Sequence, residues 1–483
     1  MGFAARAGLL CVVALSTIGA NAEPSRLARL LERMRAAAGP VWQGHFVSVS
    51  RLQIGTEQHV VFSESAGLRI TVRRCTGELC SGSYFDGEHL YSVNMNGTAL
   101  AAALEPQPFL RSLRLVASLE FLAPGFSAHG GRIADAGDAN LHGKPYRTIV
   151  VADVNAVPLR LYVDASGLVR LARELGGNES FEYTDYRRTA GFALPFEVLH
   201  DGRPFERYDD RTAVSSPFAP PRGLVPTFHG APQTIATDAR SATPIVDCTL
   251  AGIAAHCLID TGNSGISISS ELASRLDAPV AGTYQVLGLG GYSTQVVRAG
   301  PLVVGNATFP PAYYAVLDDV RRYGYDVVLG ADALAATGIT IDGSAHAVRL
   351  SASLDRTPIA VPLTFENFVP VVTVAIGNVQ TSLAVDTGDE SNINLAYDFY
   401  AKHPGIFNVT QRRFVSGIGG NSVEMIGEVP QVTIGEYRTG PQRIGTTQLL
   451  RGTAFGHLGA GFLTQFVVEL NYAAAELRLI PRT

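Results

Sequence analysis

The stretch Cys257-Leu258-Ile259-Asp260-Thr261-Gly262 returns 126 residues later as Leu383-Ala384-Val385-Asp386-Thr387-Gly388. Each copy is an apolar run ending on Asp-Thr-Gly, which reads as a buried strand opening into a tight turn. The Asp then sits at the strand end between apolar walls. A unit present twice in one chain can face itself across a pseudo-twofold axis, and the two carboxyls then meet. Like charges about 3 Å apart cannot both ionise, so such a pair holds one proton between them.

The repeat extends well beyond the motif. Before it, Thr243-Pro244-Ile245-Val246-Asp247-Cys248 corresponds to Val369-Pro370-Val371-Val372-Thr373-Val374, each leading through a turn into the Asp-bearing strand. After it, the pattern predicts a capped helix in each copy, opened by Ser270 over Glu271 to Leu276 and by Asn394 over Leu395 to Ala401. A glycine-rich hairpin follows, Gly288-Leu289-Gly290-Gly291 and Gly417-Ile418-Gly419-Gly420. Next comes an apolar pair before Gly, Val328-Leu329-Gly330 against His457-Leu458-Gly459. Two closing strands end each copy, Ile339 to Asp342 with Val348 to Leu350, and Val468 to Asn471 with Leu477 to Leu479. These late elements are offset by 129 residues, so the second copy carries a small insertion between Asp-Thr-Gly and the hairpin.

This order of elements resembles the retropepsin-like aspartic peptidases, which have one Asp-Thr-Gly per lobe, a glycine-rich flap and an apolar-apolar-Gly strand behind the active-site loop. The resemblance covers residues 241–483. It implies two tandem acid-protease β-barrel lobes, 241–355 and 356–483, forming a pseudo-dimer within one chain. It implies that Asp260 and Asp386 activate a water. Thr261 and Thr387 would hydrogen-bond across to the opposite loop, and Gly262 and Gly388 would allow close backbone approach. Gly288 to Gly291 and Gly417 to Gly420 would be flaps closing over an extended polypeptide substrate. The chain departs from the family after Asp-Thr-Gly, where Asn263 and Asp389 replace the usual Ser, Thr or Ala. Asn263 can still donate a hydrogen bond to a carboxylate. Asp389, followed by Glu390, is read as a solvated turn residue pointing outward; pointing inward, it would raise the proton affinity of the pair. His457 occupies an apolar slot and marks copy two as the more divergent.

Residues 23–215 read as a curved antiparallel α+β domain. Ser25 caps a first helix carrying Leu27, Leu30, Leu31 and Met34, and a second helix is expected over Pro108 to Leu122. Strands are expected at Trp42–Ser50, Gln58–Glu64, Leu68–Arg74, His89–Met95, Tyr146–Val151, Leu159–Asp164, Val169–Leu175 and Ser180–Arg187. Leu161 to Leu168, with Tyr183 to Arg188 and Gly191 to Pro195, resemble the outer-membrane lipoprotein-sorting and carrier group, whose half-open β-barrel holds acyl chains. That resemblance implies a lipid or lipoprotein partner; a purely structural or peptide-presenting role is the alternative. His45, His59, His89, His129 and His142 are scattered without metal-ligand spacing. No metal and no cofactor are expected. The Pro-rich stretch 216–240 reads as a linker.

A net charge of −5 without a basic block argues against nucleic acid as a partner, and the chain is expected to be a monomer. Residues 1–22 read as a secretory signal, with Arg6, an apolar run from Leu9 to Ile18 and Ala20-Asn21-Ala22. This makes the protein exported, periplasmic or secreted. Cys75, Cys80, Cys248 and Cys257 remain, enough for two disulfides in an exported chain; four free buried thiols are the other reading. The expectation is an aspartic endopeptidase, with a non-catalytic peptide- or lipoprotein-binding protein on the same scaffold as the alternative.

Overall fold

A computed structural model of the chain describes residues 25–101, 107–318, 320–355, 359–447 and 456–482. The segment read as a secretory signal lies outside them. Among the described residues the protein is mainly β, and no helix is long and apolar enough to cross a membrane.

The first part is one 13-stranded antiparallel sheet. Its strands run in sequence order from Ala99–Ala101 at one edge to His45–Ile54, then from Arg203–Ala213 back to Arg132–Leu141 at the other edge. Strand pairing between His45–Ile54 and Arg203–Ala213 joins the two halves. The helix Arg26–Ala38 starts where Ser25 Oγ accepts the Ala28 N–H. It buries Leu30 and Met34 against the sheet, and the helix Gln107–Ser118 adds Leu115 and Val116. Together with Phe121 and Leu122, these side chains cover Ile149, Leu161, Val163, Ala172 and Phe181. The domain's own helices thus fill the apolar part of its curved face.

Several strands here were not expected. Leu79–Phe85 and Arg132–Leu141 lack clean alternation of apolar and polar residues; the second buries none of its residues. The expected strand from Trp42 begins only at His45, because Val41–Gln43 form a single 3-10 turn.

The rest of the chain forms two lobes around a shared sheet. Each lobe has a ten-stranded sheet of its own. Between them lies a six-stranded sheet with three strands from each side: Thr234–Ala236, Ala347–Ser351 and Gly338–Asp342 go with the first lobe, then Phe466–Asn471, Glu476–Pro481 and Val361–Pro362 with the second. The central pair, Gly338–Asp342 against Phe466–Asn471, is antiparallel in the register Thr340 to Glu469. One hydrophobic core runs through both lobes, from Val246 and Ile259 to Val385, Leu458 and Leu477. A continuous core and a shared sheet fix the lobes face to face.

Thr227–Phe228 and Thr234–Ala236 fall inside the stretch read as a linker. They pair with Ala307–Phe309 and Ala347–Ser351, so this segment is partly strand. The Pro-rich part before it packs on the first sheet through Phe218, which lies beside His45, Tyr84 and Arg69.

Both cysteine pairs are bonded, Cys75 to Cys80 and Cys248 to Cys257. The second ties Ile245–Leu250 to Ile253–Ile259, the strand that leads to Asp260.

Candidate active site

Asp260 and Asp386 meet at the lobe interface. Each sits at the end of a strand that pairs in parallel with its apolar-Gly strand: Ile253–Ile259 with Val327–Leu329, and Val379–Asp386 with Gly456–Gly459. The apolar-Gly strands pair in turn with Ile266–Ser269 and Ile393–Ala396. The Asp-Thr-Gly turns are therefore held from behind on both sides. Asp260 N donates to Leu329 O at 2.9 Å, Ala331 N to Asn263 O at 2.8 Å, and Ala460 N to Asp389 O at 2.6 Å.

The two threonines lock the turns together. Thr261 Oγ1 donates to Val385 O at 2.5 Å, and Thr387 Oγ1 donates to Ile259 O at 2.7 Å. Each hydroxyl also accepts the other threonine's backbone N–H, both at 3.1 Å. Thr261 and Thr387 are fully buried, so every one of these bonds replaces a lost bond to water.

The glycines make room for the carboxyls. A Cβ at Gly262 would stand 2.3 Å from Asp386 Cγ, and one at Gly388 would stand 2.5 Å from Asp260 Cγ. Each carboxyl thus lies over the other lobe's glycine, within hydrogen-bond reach of its twin. Asp260 Oδ1 accepts from Gly262 N at 2.9 Å; Asp386 Oδ1 accepts from Gly388 N at 3.0 Å and Asp389 N at 3.1 Å.

Burial, then the charge of Asp386, holds the Asp260 carboxyl well above the usual carboxylate range. Burial also raises Asp386, but the positive charge of His457 pulls against it. The dyad titrates as a pair, and the charges acting on its two carboxyls differ.

The flaps meet over this floor. Val280–Leu287 and Gly291–Ala299 form the first hairpin, and Gln411–Gly417 and Gly420–Val429 the second. Leu289 N donates to Ile418 O at 2.8 Å, tip to tip. A Cβ at Gly290 would stand 1.8 Å from Gly419 O, so the tips touch where neither has a side chain. Ile418 packs with Val286, Tyr292 and Tyr325 against Ile245, Leu258, Leu317, Val320 and Val328, an apolar patch on the first lobe.

Three expectations differ from the structure. Asn394 does not cap a helix: it lies buried in Ile393–Ala396 and accepts from Thr447 Oγ1 at 3.1 Å, while the helix Tyr397–Lys402 starts at Ala396. Ser269, rather than Ser270, caps the first helix by accepting the Leu272 N–H at 3.1 Å. Asp389 does not point outward as a free turn residue: its side chain, 25% exposed, faces His457. Its Oδ1 accepts the Ser391 N–H and its Oδ2 the Ser391 hydroxyl, both at 2.8 Å, and Oδ2 lies 3.4 Å from His457 Nδ1. The same His457 Nδ1 is 3.3 Å from Asp386 Oδ2. Asn263, its counterpart in the first lobe, turns its Oδ1 to Gly265 N at 3.4 Å.

Asp386, Asp389 and His457 offer three donor atoms within 4.8 Å of one another, and Glu179, His200 and Asp201 do the same on the first sheet. In the first set, a proton on the imidazole accounts for both contacts to carboxylate oxygens.

Residues 246–333 match the model of the aspartyl protease family. Among solved structures, a retropepsin-like aspartic protease from Rickettsia conorii is similar at 20% identity, covering 26% of this chain and 93% of that one, with a TM-score of 0.21. A LolA superfamily protein from Nitrosomonas europaea is similar at 13% identity over 39% of this chain and 94% of that one, TM-score 0.30. A putative outer membrane lipoprotein-sorting protein domain from Vibrio parahaemolyticus is similar at 9% identity over 38% and 91%, TM-score 0.23. No curated protein matches the chain.

Proposed function

We propose that this protein is an exported aspartic endopeptidase with Asp260 and Asp386 as its catalytic carboxyls. The observation that carries the reading is the pair itself: two buried carboxyls in mutual reach, held by reciprocal threonine bonds. A binding surface has no use for two buried acids, which cost stability without a compensating interaction. In the reaction, the ionised carboxylate takes a proton from water as it attacks the scissile carbonyl, and the protonated one hydrogen-bonds the carbonyl oxygen. The closed flaps exclude bulk water from the site. Polypeptide is the substrate that fits, since an extended chain can pair with the flap strands. The apolar patch under Ile418 favours an apolar side chain on the first-lobe side of the scissile bond. Two disulfides favour an oxidising compartment.

Lipid carriage by the first domain receives less support. Its apolar face is filled by its own helices, and an open groove of about 630 Å³ beside them is lined by Arg69, Asp86, Glu88, Arg111 and Glu120 together with Trp42, Ala66 and Leu68. Such a lining suits a polar guest better than acyl chains.

The test is cleavage of an unstructured protein from about pH 3 to about pH 8, the range over which carboxyl and imidazole groups titrate. Asp260→Asn and Asp386→Asn are each expected to abolish it. Turnover surviving in both variants removes the dyad from the mechanism.

A further inference from the structure

The two lobes are not electrically equivalent. Position for position, Val328 of the first lobe corresponds to His457 of the second, because Leu329-Gly330 and Leu458-Gly459 back the two Asp turns in the same register. Asn263 likewise corresponds to Asp389. The first lobe surrounds its Asp with a neutral pair and the second with an imidazole and a carboxylate. This second pair is in contact with one member of the dyad, Asp386.

The imidazole has little freedom. Its side chain is 17% exposed, and its strand is held between Val379–Asp386 and Ile393–Ala396, with Asn394 opposite it. The charges that act on it are those of Asp389, Asp386 and Asp260; Asn394 is neutral, and Glu390 acts on Tyr325 of the other lobe. Burial opposes a charge on His457, but the Asp389 hydrogen bond and the nearby carboxylates outweigh it and push the imidazole up to about 9. Asp389 is held below the usual range despite burial, by His457 and by both Ser391 donors. Around neutral pH the pair is therefore an imidazolium and a carboxylate.

We propose that His457, clamped by Asp389, is a positioning residue that fixes the polarity of the dyad, making Asp386 the ionised base and Asp260 the protonated acid. This rests on the endopeptidase reading and assigns the roles within it. Water adds its oxygen to the scissile carbonyl carbon and gives one proton to Asp386, while Asp260 gives its proton to the carbonyl oxygen, leaving a neutral diol. As the C–N bond breaks, Asp386 passes its proton to the nitrogen and a diol hydroxyl returns one to Asp260. The products are an acid and an amine, and the dyad regains its starting state. An imidazolium beside Asp386 stabilises the charge that the first step needs there.

The variants His457→Val and Asp389→Asn give the second lobe the first lobe's side chain or carboxamide at each place. His457→Val leaves two carboxylates facing each other without a cation, and is expected to move the acidic limb of kcat/KM up by about one pH unit or more. Asp389→Asn leaves the cation with one counter-charge fewer, and is expected to move the limb down. The double variant should fall between them. Both single variants shifting the same way, or three profiles that superimpose on wild type, overturn the proposal. Should the variants fail to fold, the nuclear magnetic resonance titration of the His457 ring in the wild-type protein decides. Protonation persisting to about pH 8 supports it, and a ring neutral at about pH 6 overturns it. A wild-type protein without peptidase activity defeats the endopeptidase reading instead, and the ring titration still reports on the ion pair.

Discussion

Asn96 bonds the main chain of Tyr313 through both ends of its carboxamide: Nδ2 donates to the Tyr313 carbonyl at 2.9 Å, and Oδ1 accepts the Tyr313 N–H at 2.8 Å. The side chain thereby mimics one residue of a neighbouring strand. The same Nδ2 donates to Asp332 Oδ2 at 2.8 Å, and Asn94 Nδ2 donates to Asp332 Oδ1. Asp332 lies two residues after Gly330, behind the Asp260 turn. A turn of the first domain is thus fastened to the back of the first lobe.

Asn96→Ala removes the three Asn96 bonds, taking one donor from the buried Asp332 carboxyl and the partners of two main-chain groups. A loss of about 2–3 kcal/mol follows. The only tryptophan, Trp42, reports on the first domain alone, while circular dichroism reports on all the sheets. In urea, the variant's dichroism midpoint should fall and separate from the Trp42 fluorescence midpoint. Unshifted, coincident transitions would argue that the contact contributes nothing.

The threonine lock makes a graded prediction. Thr261→Val deletes the donor to Val385 O and the acceptor for Thr387 N, both buried, at a cost of about 2–4 kcal/mol. Thr261→Ser keeps the hydroxyl and should cost about 1 kcal/mol through the lost methyl group. Thermal unfolding of the two variants checks the order. Equal losses would assign the stabilisation to packing and not to the hydroxyl.

Contact between the flap tips predicts a binding defect. Gly290→Ala places a methyl group against Gly419 O, and the closed arrangement cannot form without displacing one tip. KM for a peptide substrate should rise about tenfold or more, as uniform binding is lost, with little change in thermal stability because the tips are only half-buried and lie outside the main core. An unchanged KM would mean that turnover does not require closed tips.

The duplicated core was legible in the sequence because its signals are local: an apolar run, a fixed tripeptide, then glycines in order. Asn394 was misread because Asn before an apolar run signals a cap equally well in a strand that happens to be buried. Asp389 and His457 are 68 residues apart, and nothing near either shows that parallel pairing of Val379–Asp386 with Gly456–Gly459 brings them together. The Asn94 and Asn96 contacts are hidden for the same reason, since Asn96-Gly97 announces only a turn. In the first domain, Arg132–Leu141 is an edge strand that buries no residue, so periodicity had no face to reveal.

The Cys248–Cys257 bond spans a separation of nine residues beside the Asp260 strand. Closing a loop of that size constrains the unfolded chain by about 2–3 kcal/mol. Replacing both cysteines with Ala should cost that amount in denaturant unfolding while leaving the pH profile of cleavage in place, because the Asp260 turn keeps its own main-chain and threonine bonds. A displaced profile would show that the bond also sets the position of Asp260.

The dyad itself should be a burden on stability. Burial and the Asp386 charge raise the Asp260 carboxyl above its unfolded value. A raised group contributes stability that is fully present below about pH 3.9, the unfolded value, and is lost as pH rises through the folded one. At neutral pH the folded protein therefore bears the cost of ionising a site that favours the proton. Asp260→Asn cannot ionise and is free of that cost. Its melting temperature should exceed that of the wild type at about pH 7, by several degrees for a relief of 1–2 kcal/mol, and the difference should shrink toward about pH 4. A variant less stable than wild type at neutral pH would mean that the ionised pair is held by donors strong enough to repay its burial.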